Sequence, residues 1–329
     1  MSRILKAATR ASPLARVQTG QVAYLLNVAH EQARSVPEAG ENDAASGQTD
    51  ADAGPDAERA YRVLPVTVET SGDRQRGQPI AAIGGQGVFV KEVQAAVLDG
   101  RAHFAVHSAK DLPSGPTDGL VLAAFPPRGD PRDALVGSTL ADLAPGARVA
   151  TGSVRRRAQL AALRPDVDLC EIRGNIDTRL AKARDFDAIL LAVAGLDRLA
   201  RGSRIAEVLE PSVMLPQVGQ GALAVECRAG DLDTIALLAT VDDRTTRLAV
   251  EAERSFLAEV GGGCELPVGA LAHVTDDGEI VLEALLASLD GSTILRHRAT
   301  GRDQAALGRA VARHLLDGGG GELMEAARR

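Results

Sequence analysis

The sequence predicts two doubly wound α/β lobes joined by a hinge, followed by a small α+β unit. Three observations lead there. Strand-like and helix-like segments alternate in two successive series, and Pro126-Pro127-Arg128-Gly129-Asp130-Pro131 breaks the chain between them. After Asp242 the pattern changes to one helix, three strands closed by Asp-Gly turns, and another helix. The 329 residues are 45% hydrophobic and 25% charged, which suits a globular chain of two or three domains rather than a disordered one. The expected boundaries are 1–126 with 222–240 for the first domain, 127–221 for the second and 243–329 for the third.

Arg3 to Thr9 reads as a strand, and Ser12-Pro13 opens a helix to about His30, with Ser12 as N-cap and Pro13 at the first helical position. Residues 35–60 carry seven acids and one base without periodicity, which predicts a disordered acidic loop inserted before a strand at Tyr61 to Glu69. That insert contributes −6 of the net charge of −7. Phe89 to Asp99 places Val90, Val93, Val97 and Leu98 on one helical face. Strands follow at Phe104 to His107 and Leu120 to Ala124. The second series runs strand Arg148 to Ala150, helix Val154 to Leu163, strand Asp168 to Ile172, helix Thr178 to Ala183 and the apolar strand Ala188 to Ala194. Leu215 to Gln220 is a loop, and the strand Ala222 to Cys227 returns to the first domain. The last series is helix Thr245 to Val260, strands Val268 to Val274, Ile280 to Ser288 and Thr293 to Ala299, and helix Asp303 to Leu316.

Composition excludes several classes. No run of about 18 apolar residues exists, so no membrane partner is expected. The first residues lack the apolar stretch of a signal peptide, and Cys170, Cys227 and Cys264 form no CxxC pair, so a reducing cytoplasm and no metal are expected. Aromatics are 2%, with no Trp, which argues against a nucleic-acid partner that stacks bases. Gly84-Gly85-Gln86-Gly87 lacks the GK[ST] ending of a P-loop and reads as a glycine hinge.

The chemistry lies with the arginines. Of 37 basic residues only four are lysine. Thr151-Gly152-Ser153-Val154-Arg155-Arg156-Arg157 joins a strand to a helix with Ser153 as N-cap. Cations in a first turn oppose the helix dipole by about 0.3–1 kcal/mol each, so either an anion or nearby acidic side chains must offset them. Arg10, Arg173, Arg179 and Arg198 also fall near the C-terminal ends of predicted strands, where open α/β sheets bind ligands. Guanidinium holds carboxylates in two-pronged fashion, so the group points to a ligand with many carboxylates. Lys110-Asp111 ends the strand at His107, and its carboxylate either stabilises a substrate cation or forms a structural ion pair. Cys264 follows three glycines on an exposed, bent loop, whereas Cys170 and Cys227 read as core residues.

Assembled, the stretches ATRASPLA (8–15), GGQGVFVKEV (84–93), AVHSAKDLP (105–113), DPRDALV (130–136), TGSVRRRAQL (151–160), IRGNIDTRL (172–180), DAILLAVAGLDRL (187–199), LPQVGQGALAVECR (215–228) and GGGCELPVGA (261–270) resemble the porphobilinogen deaminase family. The resemblance implies periplasmic-binding-protein-like lobes and a cytoplasmic transferase. Such an enzyme joins four porphobilinogens head to tail, releasing ammonia, to give hydroxymethylbilane in tetrapyrrole biosynthesis. It implies a dipyrromethane primer held as a thioether on Cys264, with Lys110, Ser153, Arg155 and Arg156 around it. By the same resemblance Asp111 is the essential acid, and Arg10, Ser12, Arg173, Arg179, Arg198 and Gln220 bind substrate. A monomer is expected. The chain departs from the family where lysines are usual, at Ala82 and Gln86, and where TSSLRR becomes TGSVRR at Gly152. Two lobes with a hinge also describe periplasmic solute receptors, against which the GGGC loop speaks. An anion-binding transcriptional effector would want a basic helix-turn-helix, which is absent.

Overall fold

The structure, a computed structural model, describes residues 3–35, 60–70, 90–263 and 265–328. The acidic insert, the glycines at 84–87, Ala82, Gln86 and Cys264 therefore lie outside the described residues. In chain order the first series is β1 (Arg3–Arg10), α1 (Pro13–Ser35), β2 (Tyr61–Val68), α2 (Lys91–Leu98), β3 (Phe104–Ser108) and β4 (Leu120–Ala124). Next come β5 (Asp133–Val136), β6 (Arg148–Ala150), α3 (Val154–Leu163), β7 (Asp168–Cys170), α4 (Ile176–Lys182), β8 (Ala188–Ala192), α5 (Val193–Arg198) and β9 (Glu207–Leu209). The chain continues through β10 (Leu223–Arg228), α6 (Leu232–Ala239), α7 (Arg244–Val260), β11 (Val268–Val274), β12 (Ile280–Ala287) and β13 (Ile294–Gly301). It closes with α8 (Gln304–Leu315) and α9 (Gly321–Arg328).

Two five-stranded sheets have the orders β2-β1-β3-β10-β4 and β7-β6-β8-β5-β9. In each, four strands point the same way and one, β10 or β5, runs antiparallel between two of them. Both antiparallel strands are the first strand laid down after the chain passes from one sheet to the other. The expected return of the chain to the first sheet is therefore observed, as β10 between β3 and β4. A three-stranded meander, β11-β12-β13, forms the third unit.

The first core forms because α1 turns Val22 and Leu26 onto Leu5, Ala7, Phe104 and Val106 of the sheet. Burying each large side chain contributes roughly 1.5–3 kcal/mol. Ser12 caps that helix, its Oγ accepting from the Ala15 N–H at 3.3 Å. In the third unit α7 and α8 cover one face of the meander, with Phe256, Leu282 and Val311 fully buried between them.

The two passages between the sheets, residues 125–132 and 210–222, lie side by side. The Gly129 N–H donates to the Gly221 carbonyl at 3.2 Å. Gly221 has φ of 85°, and a Cβ there would stand 2.4 Å from the Gly129 oxygen, so this closeness requires glycine. Arg132 ties the passages from the other side, donating to Asp130 at 2.7 Å and to Glu210 at 2.5 Å.

Several sequence expectations need correction. β5 and β9 carry no sequence signal: DALV follows a proline-rich break, and strands of three or four residues show too little alternation to register. The apolar run at 188–194 is a strand only to Ala192, because Val193 to Leu196 are buried in a helix, and periodicity cannot separate the two. The helices α6 and α9 are likewise additional to the elements the sequence predicts. Cys227 is fully buried, but Cys170 is only partly so, because β7 is the edge strand of its sheet.

Candidate functional site

The C-terminal ends of the parallel strands carry the predicted residues. β1 ends at Arg10, and continuing the register in which Ala8 pairs with Ala105 sets Arg10 level with His107. β3 leads into a 3-10 turn, Ala109–Asp111, that presents Lys110 and Asp111. β6 leads through Thr151, Gly152 and Ser153 into α3. Ser153 caps this helix, its Oγ accepting from the Arg156 N–H at 3.4 Å. Gly152 suits this turn, since a Cβ there would lie 2.8 Å from the Ile172 carbonyl oxygen.

Gln220 joins the two sheets. Its Oε1 accepts from Lys110 Nζ at 3.4 Å, and its Nε2 donates to Asp133 Oδ1 and to the Pro131 carbonyl, each at 2.7 Å. Asp133, on β5 and wholly buried, is the counter-ion of both inner arginines. Arg155 Nη1 lies 2.8 Å from its Oδ2, and Arg156 Nη2 donates to its Oδ1 at 2.7 Å. Arg156 also reaches the Leu190 carbonyl at 3.0 Å, and Arg155 the Leu215 carbonyl at 2.6 Å. The anion expected beside the three arginines is thus in part the chain's own Asp133, whereas Arg157 stays exposed and touches the Leu169 carbonyl.

Arg179 donates to the Gly174 carbonyl at 2.8 Å, and Arg173 to Glu171 at 2.6 Å. Arg198 donates to the Gly221 carbonyl at 2.7 Å, where the two passages meet. Asp111 accepts no hydrogen bond among the described residues, and Lys110 and Arg179 are its charged neighbours.

Electrostatics follow from this crowding. Burial pushes the Lys110 ammonium down to about 8; Asp111 opposes the shift and Arg156 adds to it. Burial, then repulsion from Arg156 and Arg173, lowers Arg179 to about 10, against the pull of Asp111. Burial lowers Arg198 to about 10 and also lowers Arg155. Burial alone would raise Asp133, but Arg155 and Arg156 reverse this and hold its carboxyl well below the ordinary range. Arg155 is 2% exposed, yet its Nε and Nη2 have no hydrogen-bond partner among the described residues. Two such buried donors beside Lys110 and Arg156 suit the carboxylates of a polyanionic ligand, and a dipyrromethane carries such groups.

Asp133 went unassigned in the sequence, although three cations at one helix start called for an internal acid. Asp133→Asn would leave two guanidiniums buried without a counter-charge, at an expected cost of about 3–5 kcal/mol. The depressed carboxyl contributes its stability above the unfolded value of about 3.9 and loses it as pH falls towards the folded value. Urea unfolding of both proteins at pH 7, with the wild type repeated down to pH 3, checks this. Equal midpoints at pH 7 would overturn it.

Two family models match the chain. "Porphobilinogen deaminase, dipyromethane cofactor binding domain" spans residues 5–236, and "Porphobilinogen deaminase, C-terminal domain" spans 247–317. A protein of Roseiflexus sp. (strain RS-1) named porphobilinogen deaminase is 45% identical over 330 residues, covering 98% of this chain and 99% of its own. The protein of that name from Brevibacillus brevis is 48% identical over 262 residues, covering 78% of this chain and 85% of its own. The one from Acidothermus cellulolyticus is 43% identical over 334 residues, covering 98% and 92%.

Proposed function

This chain belongs to the porphobilinogen deaminase family, and from that premise we propose how its own residues divide the work. The reaction joins four porphobilinogens head to tail with loss of ammonia, giving hydroxymethylbilane for tetrapyrrole biosynthesis. The bound dipyrromethane supplies the pyrrole end to which the first substrate is joined. We assign its attachment to the Cys264 thiol, which lies outside the described residues. Lys110, Ser153, Arg155 and Arg156 hold its carboxylates, and the observation that carries this is the pair of donors on buried Arg155 that no described residue pairs. Arg10, Ser12, Arg173, Arg179, Arg198 and Gln220 take the substrate's acetate and propionate groups. Asp111 keeps its carboxylate clear of hydrogen bonds from the described residues, so it faces the positive charge that grows on the substrate as ammonia leaves. The three sheets are assigned to domains at 1–126 with 222–240, at 127–221 and at 243–329. The protein is placed in the cytoplasm as a monomer without a nucleic-acid partner, and the unpaired thiols of Cys170 and Cys227 support a reducing compartment. No helix among the described residues is long and apolar enough to cross a membrane.

Intact-mass measurement of protein made in cells tests the reading. A covalent adduct of two pyrrole units is expected, and protein of unmodified mass that nevertheless turns over porphobilinogen would overturn it.

Lys110 holds the primer whose pyrrole end the incoming porphobilinogen must meet, and through that grip substrate binding depends on pH. Its ammonium is charged below about 8 and is lost as pH rises through that value. KM for porphobilinogen is therefore expected to climb above pH 8 in the wild type but to stay flat in Lys110→Arg, whose guanidinium remains charged. The same climb in both proteins would show that another group is responsible.

A further inference from the structure

Glu253 lies on α7 in the third unit, is wholly buried and has no assigned part in the reaction. Four N–H groups converge on its carboxylate. Arg128 supplies two, at 2.6 and 3.2 Å, from the first passage between the sheets. The Gly219 backbone supplies one at 2.7 Å from the second passage, and the Ala272 backbone one at 2.8 Å from β11. One side chain thus fastens both passages to the third unit.

The bonds continue to the site. Arg128 donates its Nε–H to the Gln220 carbonyl at 2.9 Å, and the Gln220 side chain in turn holds Lys110 and Asp133. Gly219 presses on the turn itself, where a Cβ would stand 3.1 Å from the Lys110 backbone nitrogen. Any rotation of one sheet against the other must move residues 128 and 219, and Glu253 grips both. A buried ion pair is weak evidence for net stability, because desolvation offsets most of its attraction. What four converging donors do define is position.

We propose that Glu253 is a positioning residue: through Arg128 and Gly219 it sets where Gln220 and the Lys110–Asp111 turn stand relative to Arg155 and Arg156, and so governs elongation. The proposal rests on the roles assigned above to those residues. Misplacement of catalytic groups by about 1 Å can cost roughly 10²-fold in rate. Glu253→Gln keeps the shape but loses the charge facing Arg128. Arg128→Lys keeps a cation for Glu253 but removes the Nε–H that supports the Gln220 carbonyl.

Both variants are compared with wild type by urea midpoint, by the fraction of protein carrying the two-pyrrole adduct, by kcat and KM, and by the mass ladder after a limited dose of porphobilinogen. The expected result is wild-type adduct loading, KM within about threefold and kcat lower by about 10–100-fold, with intermediates accumulating on the ladder. If Glu253→Gln does not fold, Arg128→Lys alone carries the test. A lower urea midpoint in Arg128→Lys with wild-type kcat and ladder would overturn the proposal, leaving only a structural pair. Absence of the adduct from the wild type itself would instead overturn the assignment of function.

Discussion

Cys264→Ser protein is expected to be made without a covalent pyrrole adduct and without activity, while Cys170→Ser and Cys227→Ala keep both. A hydroxyl cannot replace the thiol here, because the attacking species is a thiolate and a serine alkoxide is not accessible near neutral pH. The other two cysteines lack that reactivity for different reasons. Cys227 is fully buried in the first sheet, and burial, reinforced by Asp231, pushes its thiol up to about 11. Cys170 lies on an edge strand with its S–H donated to the Asp168 carbonyl oxygen at 3.8 Å, a contact that the thiol makes and a thiolate would lose. Intact mass of the four proteins decides the matter, and an adduct on Cys170 or Cys227 would refute the assignment.

Asp111→Asn should fold as the wild type does, carry the adduct and lose about 10²–10³ in kcat, the cost of removing one electrostatic stabiliser. KM should change little, since the arginines and Lys110 supply the ground-state attraction. The neighbours sharpen the expectation. The Asp111 charge partly offsets the burial penalty on Lys110 and the crowding of Arg179. Its loss should therefore lower the pH at which KM begins to climb. Steady-state rates over a pH series, with intact mass after limited substrate, test both parts. Normal turnover by Asp111→Asn would remove this residue from the chemistry.

How much of this was legible in the sequence depends on distance along the chain. α1 and its Ser12 cap, α3 with Ser153, the meander and α7 all follow from local signals: apolar spacing, capping residues and Asp-Gly turns. The placement of Arg10, Lys110, Asp111, Arg155 and Arg156 at or just beyond strand ends was legible too, because strand-to-helix order predicts where a parallel sheet opens, whereas Arg179 and Arg198 sit on the helices α4 and α5. Long-range pairs were not. Asp133 meets Arg156 from 23 residues away, and Glu253 meets Arg128 from 125. Nothing in composition or periodicity says that an acid on a long helix will reach a hinge, since that depends on how the third unit docks. Short strands and buried helices failed for a different reason. β5 and β9 are too brief to alternate, and the first four residues of α5, Val193 to Leu196, are all apolar and buried.

The place of β10 in the first sheet also bears on how the chain folds during synthesis. It separates β3 from β4, yet its residues, 223–228, are made long after both. The second sheet needs nothing beyond Leu209, so the ribosome releases all of its strands first. The middle lobe can therefore close while the first is still a half-sheet with β3 bare along one side. An open strand edge pairs readily with the wrong chain, and slow completion of non-local sheets lengthens that exposure. The vulnerable interval in this protein's biogenesis is thus the time needed to translate residues 125 to 228, and slowing the ribosome within that window should increase aggregation more than slowing it after β10 has emerged.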